Sequence, residues 1–176
     1  MALTGSDRRL LGSAAVFVVS QANIARVLGS TAPTVGTIQT TFSADKYRKI
    51  LDNLGPDDLR RYRQHYYWDM VHPLTFAIAL RAGARSLAEH HPLSPTTRRI
   101  LAAAPAIAAA GDYVENIAGL YLLDHRDRID HTTVRAASTI SITKWVLALG
   151  CSAYLFQGFV RVWTRAGVRR LRGAED

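Results

Sequence analysis

Four apolar stretches, at 10–28, 67–80, 100–123 and 145–163, are separated by segments that hold nearly all of the chain's arginines. That alternation constrains the fold more than any short motif, because apolar helices bounded by arginine are the pattern of membrane-spanning segments. None of the stretches reaches the charge-free run of about eighteen residues that usually marks a span. Arg26, Asp69, Asp112, Glu115 and Arg161 interrupt or edge them. A soluble, Ala-rich helical bundle is the competing reading. The stretch at 100–123 weighs against it, since it is apolar all round except at one cluster, where a soluble helix would carry a broad polar face.

Composition narrows the classes further. A chain of 176 residues with 48% hydrophobic residues fits one domain, 1–176, with a sizeable core and excludes a disordered tail. The single cysteine, Cys151, excludes a disulfide framework or a Cys-based zinc ribbon and reads as a packed thiol. A net charge of +8 suits nucleic acid, anionic headgroups or the ends of membrane helices. The basic residues lie at the span ends and no nucleic-acid-binding module accompanies them, so a nucleic-acid partner is not expected.

Local signals set the helix starts. Arg8 and Arg9 before an apolar run, with small residues at 22–25, have the outline of a secretory signal, but the segment is read as a first membrane helix. Ser43 caps a short helix over 43–54 in which Tyr47, Ile50, Leu51 and Leu54 share a face, and its Lys46, Arg48 and Lys49 suit headgroups. Packing of that helix on its own protein is the alternative. Pro56 followed by Asp57 and Asp58 opens the next helix, and Ser94 with Pro95 opens the third span. The fourth starts after Asp130. The predicted architecture is all-α: a four-helix transmembrane bundle with spans at about 10–28, 60–86, 95–123 and 138–165, and an amphipathic interfacial helix between the first two. Only the segment 34–41 shows a weak period-two strand pattern.

Both termini are expected on the cytoplasmic side of the cell membrane in a multi-pass arrangement. Basic residues nearly balance across the two sides. The tail decides, because Arg165, Arg169, Arg170 and Arg172 are unneutralised until Glu175 and Asp176, whereas the opposite loops interleave acids such as Asp57, Asp124 and Asp130.

Ionisable groups at membrane depth cost roughly 2.5–3.5 kcal/mol each on insertion scales, so they face the interior and partner one another. In the second span His65, Asp69 and His72 are spaced by four and three residues and share one helix face, with Tyr62 and Tyr66 beside them. In the third, Asp112, Glu115 and Asn116 align in the same way. Pro73 removes the helical hydrogen bond to the Asp69 carbonyl, and Gly111 permits close approach of a neighbour.

Three chemistries can use such groups. Carboxyls held close together resist double ionisation, so Asp112 or Glu115 could act as a general acid, with Asp69 or His72 receiving a proton elsewhere on a buried hydrocarbon. That would give isomerisation or cyclisation and needs no cofactor. His65, Asp69, His72, Asp112 and Glu115 are also candidate metal ligands. Ion or proton passage is the third possibility. Set against all three is a satisfied hydrogen-bond network that merely fixes helix register. Asn116, Tyr66, Trp68 and Tyr113 are the candidate substrate contacts. His65, near the interface, reads as solvated, and His90 and His91 as loop residues; Lys144 could pair with a carboxylate or snorkel to headgroups, and snorkelling is the default. Gln21, Asn23 and Arg26 give the first helix a polar edge, and Trp145 can join an interfacial aromatic belt, the favoured reading, or line a hydrophobic pocket.

At Asp112, Glu115 and Asn116, and at 67–73, the sequence resembles uncharacterised bacterial four-span membrane proteins with a DxxEN element and an aromatic, Asp, then Pro sequence; the likeness covers roughly 47–123. It implies architecture but no activity. In helix count and intramembrane carboxylates the chain is also similar to the emopamil-binding or EXPERA group, whose sterol isomerases protonate an alkene inside the bilayer. That group's late-chain polar and Trp residues have no counterpart here, so neither its sterol substrate nor its reaction carries over. The sequence therefore leads to the expectation of a membrane protein that binds a lipid or isoprenoid-like molecule, or acts on one as an isomerase or cyclase would, with a homo-oligomer possible. The alternative is a non-enzymatic transporter, channel subunit or membrane-complex assembly component.

Overall fold

A computed structural model describes residues 3–172, with side chains through residue 168. Arg169, Arg170, Arg172, Glu175 and Asp176, on which the orientation rests, lie outside the described side chains. Among the described residues every regular element is helical. In chain order they are α1 (Gly5–Leu28), α2 (Ala32–Thr40), α3 (Ala44–Asp52), α4 (Pro56–Trp68), α5 (His72–His90), α6 (Pro95–Asp124) and α7 (His131–Arg172). Of the 34–41 segment, residues 34–40 are helical, not a strand, and Thr41 is the extended cap of α2. A single 3-10 turn joins α1 to α2, and there Gly29 takes a positive φ of 51°, the only one among the described residues.

Short polar side chains fix the starts. Thr4 and Asp7 form a reciprocal capping box on α1. The Ser43 hydroxyl accepts the Lys46 amide and the Ser94 hydroxyl accepts the Thr97 amide, as the sequence suggested. Asp130 and Thr133 exchange amide-to-side-chain bonds at the start of α7. Pro56 sits in the first turn of α4 with Asp57 and Asp58 near its positive end.

The predicted second span is not one helix. Residues 69–71 form a turn, and Pro73 falls in the first turn of α5, where its missing amide costs nothing. The chain therefore breaks at the position where a continuous helix would have lost a hydrogen bond.

Helices α1, α5, α6 and α7 pack in sequence as neighbours, and α2 folds back against α7. Two apolar cores result. One gathers Ile24, Ile38, Tyr47, Leu51, Tyr62, Leu122, Ile129 and Val134; the other gathers Leu87, Leu93, Leu101, Ala104, Cys151 and Leu155. Along α6 and α7 the polar residues 112–116 and 138–144 fall between these cores. Cys151 is buried, as expected for a packed thiol.

The apolar face of α3 points inward, with Tyr47 and Leu51 buried and Arg48 donating to the Ile129 carbonyl. It is thus spent on its own protein, while Lys46 and Lys49 remain exposed. Burial, together with the Glu115 charge, pushes the Tyr47 phenol up to about 12. His90 is not a loop residue. It ends α5 and, with Ser86, bonds the Asp7 carboxylate at 2.9 and 2.6 Å, pinning the start of α1 to the end of α5. At the opposite end Arg63 forks onto Asp124, holding that carboxyl below the usual carboxylate range.

The outside of the bundle is apolar. Val19 is 70% exposed and Phe156 71%, and Ile78 on α5 and Ile117 on α6 are likewise bare. Two helical stretches, Gly5–Thr40 and His131–Val168, are long and apolar enough to cross a membrane. The other two expected spans fall short for identifiable reasons: α5 contains Arg81 and Arg85, and α6, at 30 residues, contains Asp112, Glu115 and Asn116.

One contact between α4 and α6 leaves no slack. A Cβ added at Gly119 would lie 2.3 Å from the Tyr66 ring, whose hydroxyl is bonded to that of Tyr62 at 2.8 Å. Gly119→Ala is expected to lower stability by about 1–3 kcal/mol through overpacking, while Gly150→Ala, with open space around it, should be neutral or gain up to about 1 kcal/mol. Thermal unfolding of the two variants in one detergent checks the pair.

Candidate functional site

Spacing on α6 turns Asp112, Glu115 and Asn116 inward together, and all three are buried. Helix α7 meets them with Ser141 and Lys144, also three residues apart. Gly111 lets the helices approach: a Cβ there would sit 3.5 Å from Lys144 Cβ and 3.6 Å from Ile140 Cγ2. The Lys144 ammonium consequently reaches both carboxylates, donating to Asp112 Oδ1 and, at 2.9 Å, to Glu115 Oε1.

Lys144 therefore does not snorkel to headgroups. It lies 6% exposed, thirteen residues inside α7, where two opposite charges hold it. Glu115 is the most fully bonded group. Besides Lys144 it accepts from Gln39 Nε2 at 2.6 Å and from the Ser141 hydroxyl. Gln39 is itself fixed, its Oε1 accepting the Trp145 indole N–H at 2.9 Å. Trp145 is thus tied by its polar edge to α2, and it stands in the wall of a cavity between the helices.

The α4–α5 break completes the cluster. Asn116 Nδ2 donates to the Asp69 carbonyl at 3.0 Å, satisfying from α6 the group that α4 leaves open at its end. Asn116 Oδ1, completely buried, has no partner among the described residues. His72 Nδ1 lies 3.0 Å from the Ser20 hydroxyl on α1, with its ring against Phe17. His65 is not solvated. It is 3% exposed, between Tyr62 and Tyr66, with Nδ1 on the Tyr62 carbonyl.

These groups border a cavity of about 490 Å³. Its polar wall is His65, Asp69, His72, Asp112, Lys144 and Gln39, with Gln21 from α1. The remainder is apolar and includes Phe17, Ile24, Val35, Phe76, Leu80 and Leu149. Leu149 is 59% exposed, so the cavity reaches the outer surface beside α7.

Not every expected residue takes part. Glu115 and Asn116 stand outside the cavity wall, although Glu115 accepts from the Lys144 ammonium that lines it. Tyr66 packs on Gly119, Tyr113 is half-buried elsewhere on α6, and Trp68 is exposed on another surface. The candidate metal ligands are not arranged as a metal centre: among the described residues no three His, Cys, Asp or Glu side chains are grouped to hold an ion. The positive charge between Asp112 and Glu115 comes from Lys144 instead.

Sequence reasoning missed Gln39, Ser141 and Ser20 as members and ranked the carboxylate pairing of Lys144 below snorkelling. For α7 a signal exists, because Val134, Ser138, Ser141, Lys144, Cys151 and Leu155 recur at helical spacing as a buried stripe. For Gln39 none does, since its place depends on the turn at Gly29. The chain matches no protein family, curated protein or solved structure with which it was compared.

Removing one partner of a buried ion pair strands the other charge, at a cost of about 3–5 kcal/mol. Lys144→Met is expected to lose that much. Adding Asp112→Asn and Glu115→Gln to it should recover most of the loss, which denaturant titration of the single and triple variants measures.

Proposed function

We propose that the chain crosses the membrane four times, through α1, α4–α5, α6 and α7, and that its cavity takes up a lipid or isoprenoid-like molecule. The exposed aliphatic surface on α1, α5, α6 and α7 supports four spans, since a water-facing bundle would leave those side chains hydrated at a cost of about 25 cal/mol per Å². The polar residues that lower the hydropathy of α6 are buried inside, where they do not meet lipid.

The observation that carries the ligand reading is the composition of the cavity wall. An apolar chamber of about 490 Å³ with one carboxylate-, imidazole- and ammonium-bearing wall suits a hydrocarbon with a polar group. Entry past Leu149 would be lateral, from the acyl region of the bilayer.

Acid and base work falls best to Asp69 and His72. Asp112 and Glu115 already share an ammonium, whereas Asp69 lines the cavity without an ion pair among the described residues and His72 stands one turn along. A proton delivered by one and accepted by the other would isomerise a double bond or assist cyclisation without a redox cofactor. Asp112 and Lys144 would orient the polar group, and Glu115 and Asn116 would hold that wall in place. Should the ligand only be bound, the same groups would fix its orientation in a non-catalytic carrier or assembly protein.

Native mass spectrometry of the detergent-purified protein tests the ligand reading. A lipid-sized molecule is expected at one per chain and should be lost in Ala79→Trp, which fills the cavity, while the thermal midpoint stays within a few degrees. Asp69→Asn should keep the ligand but abolish any turnover of it. An empty wild-type protein, or equal retention by the filled variant, would contradict the reading.

A further inference from the structure

Alternate residues of α1 and α4 face two different spaces. Ala25, Leu28, His65 and Asp69 face the internal cavity, whereas Arg26, Val27, Gln64, Tyr67 and Trp68 face a separate outer pocket of about 430 Å³, joined there by Arg60 and Arg61. Three arginines thus line one pocket at this end of the bundle, and among the described residues no carboxylate lines it, the Asp57 carboxylate that pairs with Arg60 standing outside the wall.

Their donors are largely unspent. A guanidinium carries five N–H groups. Arg26 uses one on Asn23 Oδ1 at 3.0 Å and Arg60 uses one on Asp57 Oδ1 at 2.9 Å. Arg61 makes no hydrogen bond or ion pair among the described residues. The chain makes room for it: Arg61 Nη1 lies 3.1 Å from the position a Cβ would take at Gly29, whose φ is positive, so a side chain at that turn would crowd the guanidinium.

Aromatic residues complete the pocket on one side. Tyr67 and Trp68 are each more than half exposed and follow Gln64 by three and four residues on α4. With the arginines nearer the solvent end of α4 and the rings toward α5, the order is that of headgroup first and acyl boundary second. Planar guanidinium forks match phosphate oxygens bidentately.

We propose that this outer pocket binds the anionic phosphate headgroup of a membrane amphiphile, with Arg26, Arg60 and Arg61 on its oxygens and Tyr67 and Trp68 against the start of its chain. The lipid origin of the phosphate rests on the four-span reading; the phosphate chemistry does not. The ligand is distinct from that of the internal cavity, which no residue of this pocket lines.

The test titrates phosphatidylglycerol, phosphatidylcholine and inorganic diphosphate onto the full chain in detergent, read by native mass spectrometry. The variant is Arg26→Gln, Arg60→Gln and Arg61→Gln together. A control with Arg81→Gln, Arg85→Gln and Arg98→Gln removes the same charge at the other end. Wild type and control are expected to hold phosphatidylglycerol at least tenfold more tightly than phosphatidylcholine, and the variant should lose that preference. Preference for diphosphate over both lipids, lost in the same variant, would support the phosphate site while assigning it a soluble ligand. No binding of either anion, or equal binding by variant and wild type, overturns the proposal. Alkaline carbonate extraction of membranes reads the four-span claim separately, because a chain released by the wash contradicts that claim and leaves the phosphate arm measurable.

Discussion

One ammonium between two carboxylates organises the middle of this bundle. Lys144 on α7 is only 6% exposed, so its charge is balanced by Asp112 and Glu115 rather than by bulk water. That pairing fixes the rotation of α6 against α7 and their relative height, and Gly111 supplies the closeness it demands. Glu115 then extends the constraint to α2 through Gln39, and Asn116 extends it to the α4–α5 break through the Asp69 carbonyl. Four elements are thus placed by hydrogen bonds from one level, with an apolar core above and another below.

The same constraint explains why a cavity can persist beside α1. Helices α6 and α7 are locked by charge, so they do not need α1 to fill the space between them. Phe17, Ile24 and Leu28 on α1 and Val35 on α2 line the open volume. The chain gives up packing there and keeps polar groups at the wall, an arrangement that costs stability.

Much of the fold was legible from short-range chemistry. The caps at Ser43 and Ser94, the prolines at 56 and 95 and the start after Asp130 all mark real helix ends, because each acts through neighbours within four residues. The inward grouping of Asp112, Glu115 and Asn116 was legible for the same reason, as it depends only on helical spacing. What failed was long-range. Lys144 looked more like a headgroup lysine than a carboxylate partner because nothing local reveals how α7 docks on α6 and brings its ammonium to the level of Asp112. His65 looked solvated because its burial depends on Tyr66 packing against Gly119 of another helix. Residues 34–41 alternate like a strand, yet the turn at Gly29 delivers residues 34–40 to α7 as a helix.

The chain has only three lysines, Lys46, Lys49 and Lys144, and the first two are exposed on α3. Amine-reactive labelling of the folded protein with peptide mapping therefore reads the central ion pair directly. Lys46 and Lys49 should label within the reaction time, while Lys144 stays protected until the protein is unfolded. Labelling of Lys144 at the rate of the other two would place its ammonium at the surface and remove the interaction on which the bundle's middle depends.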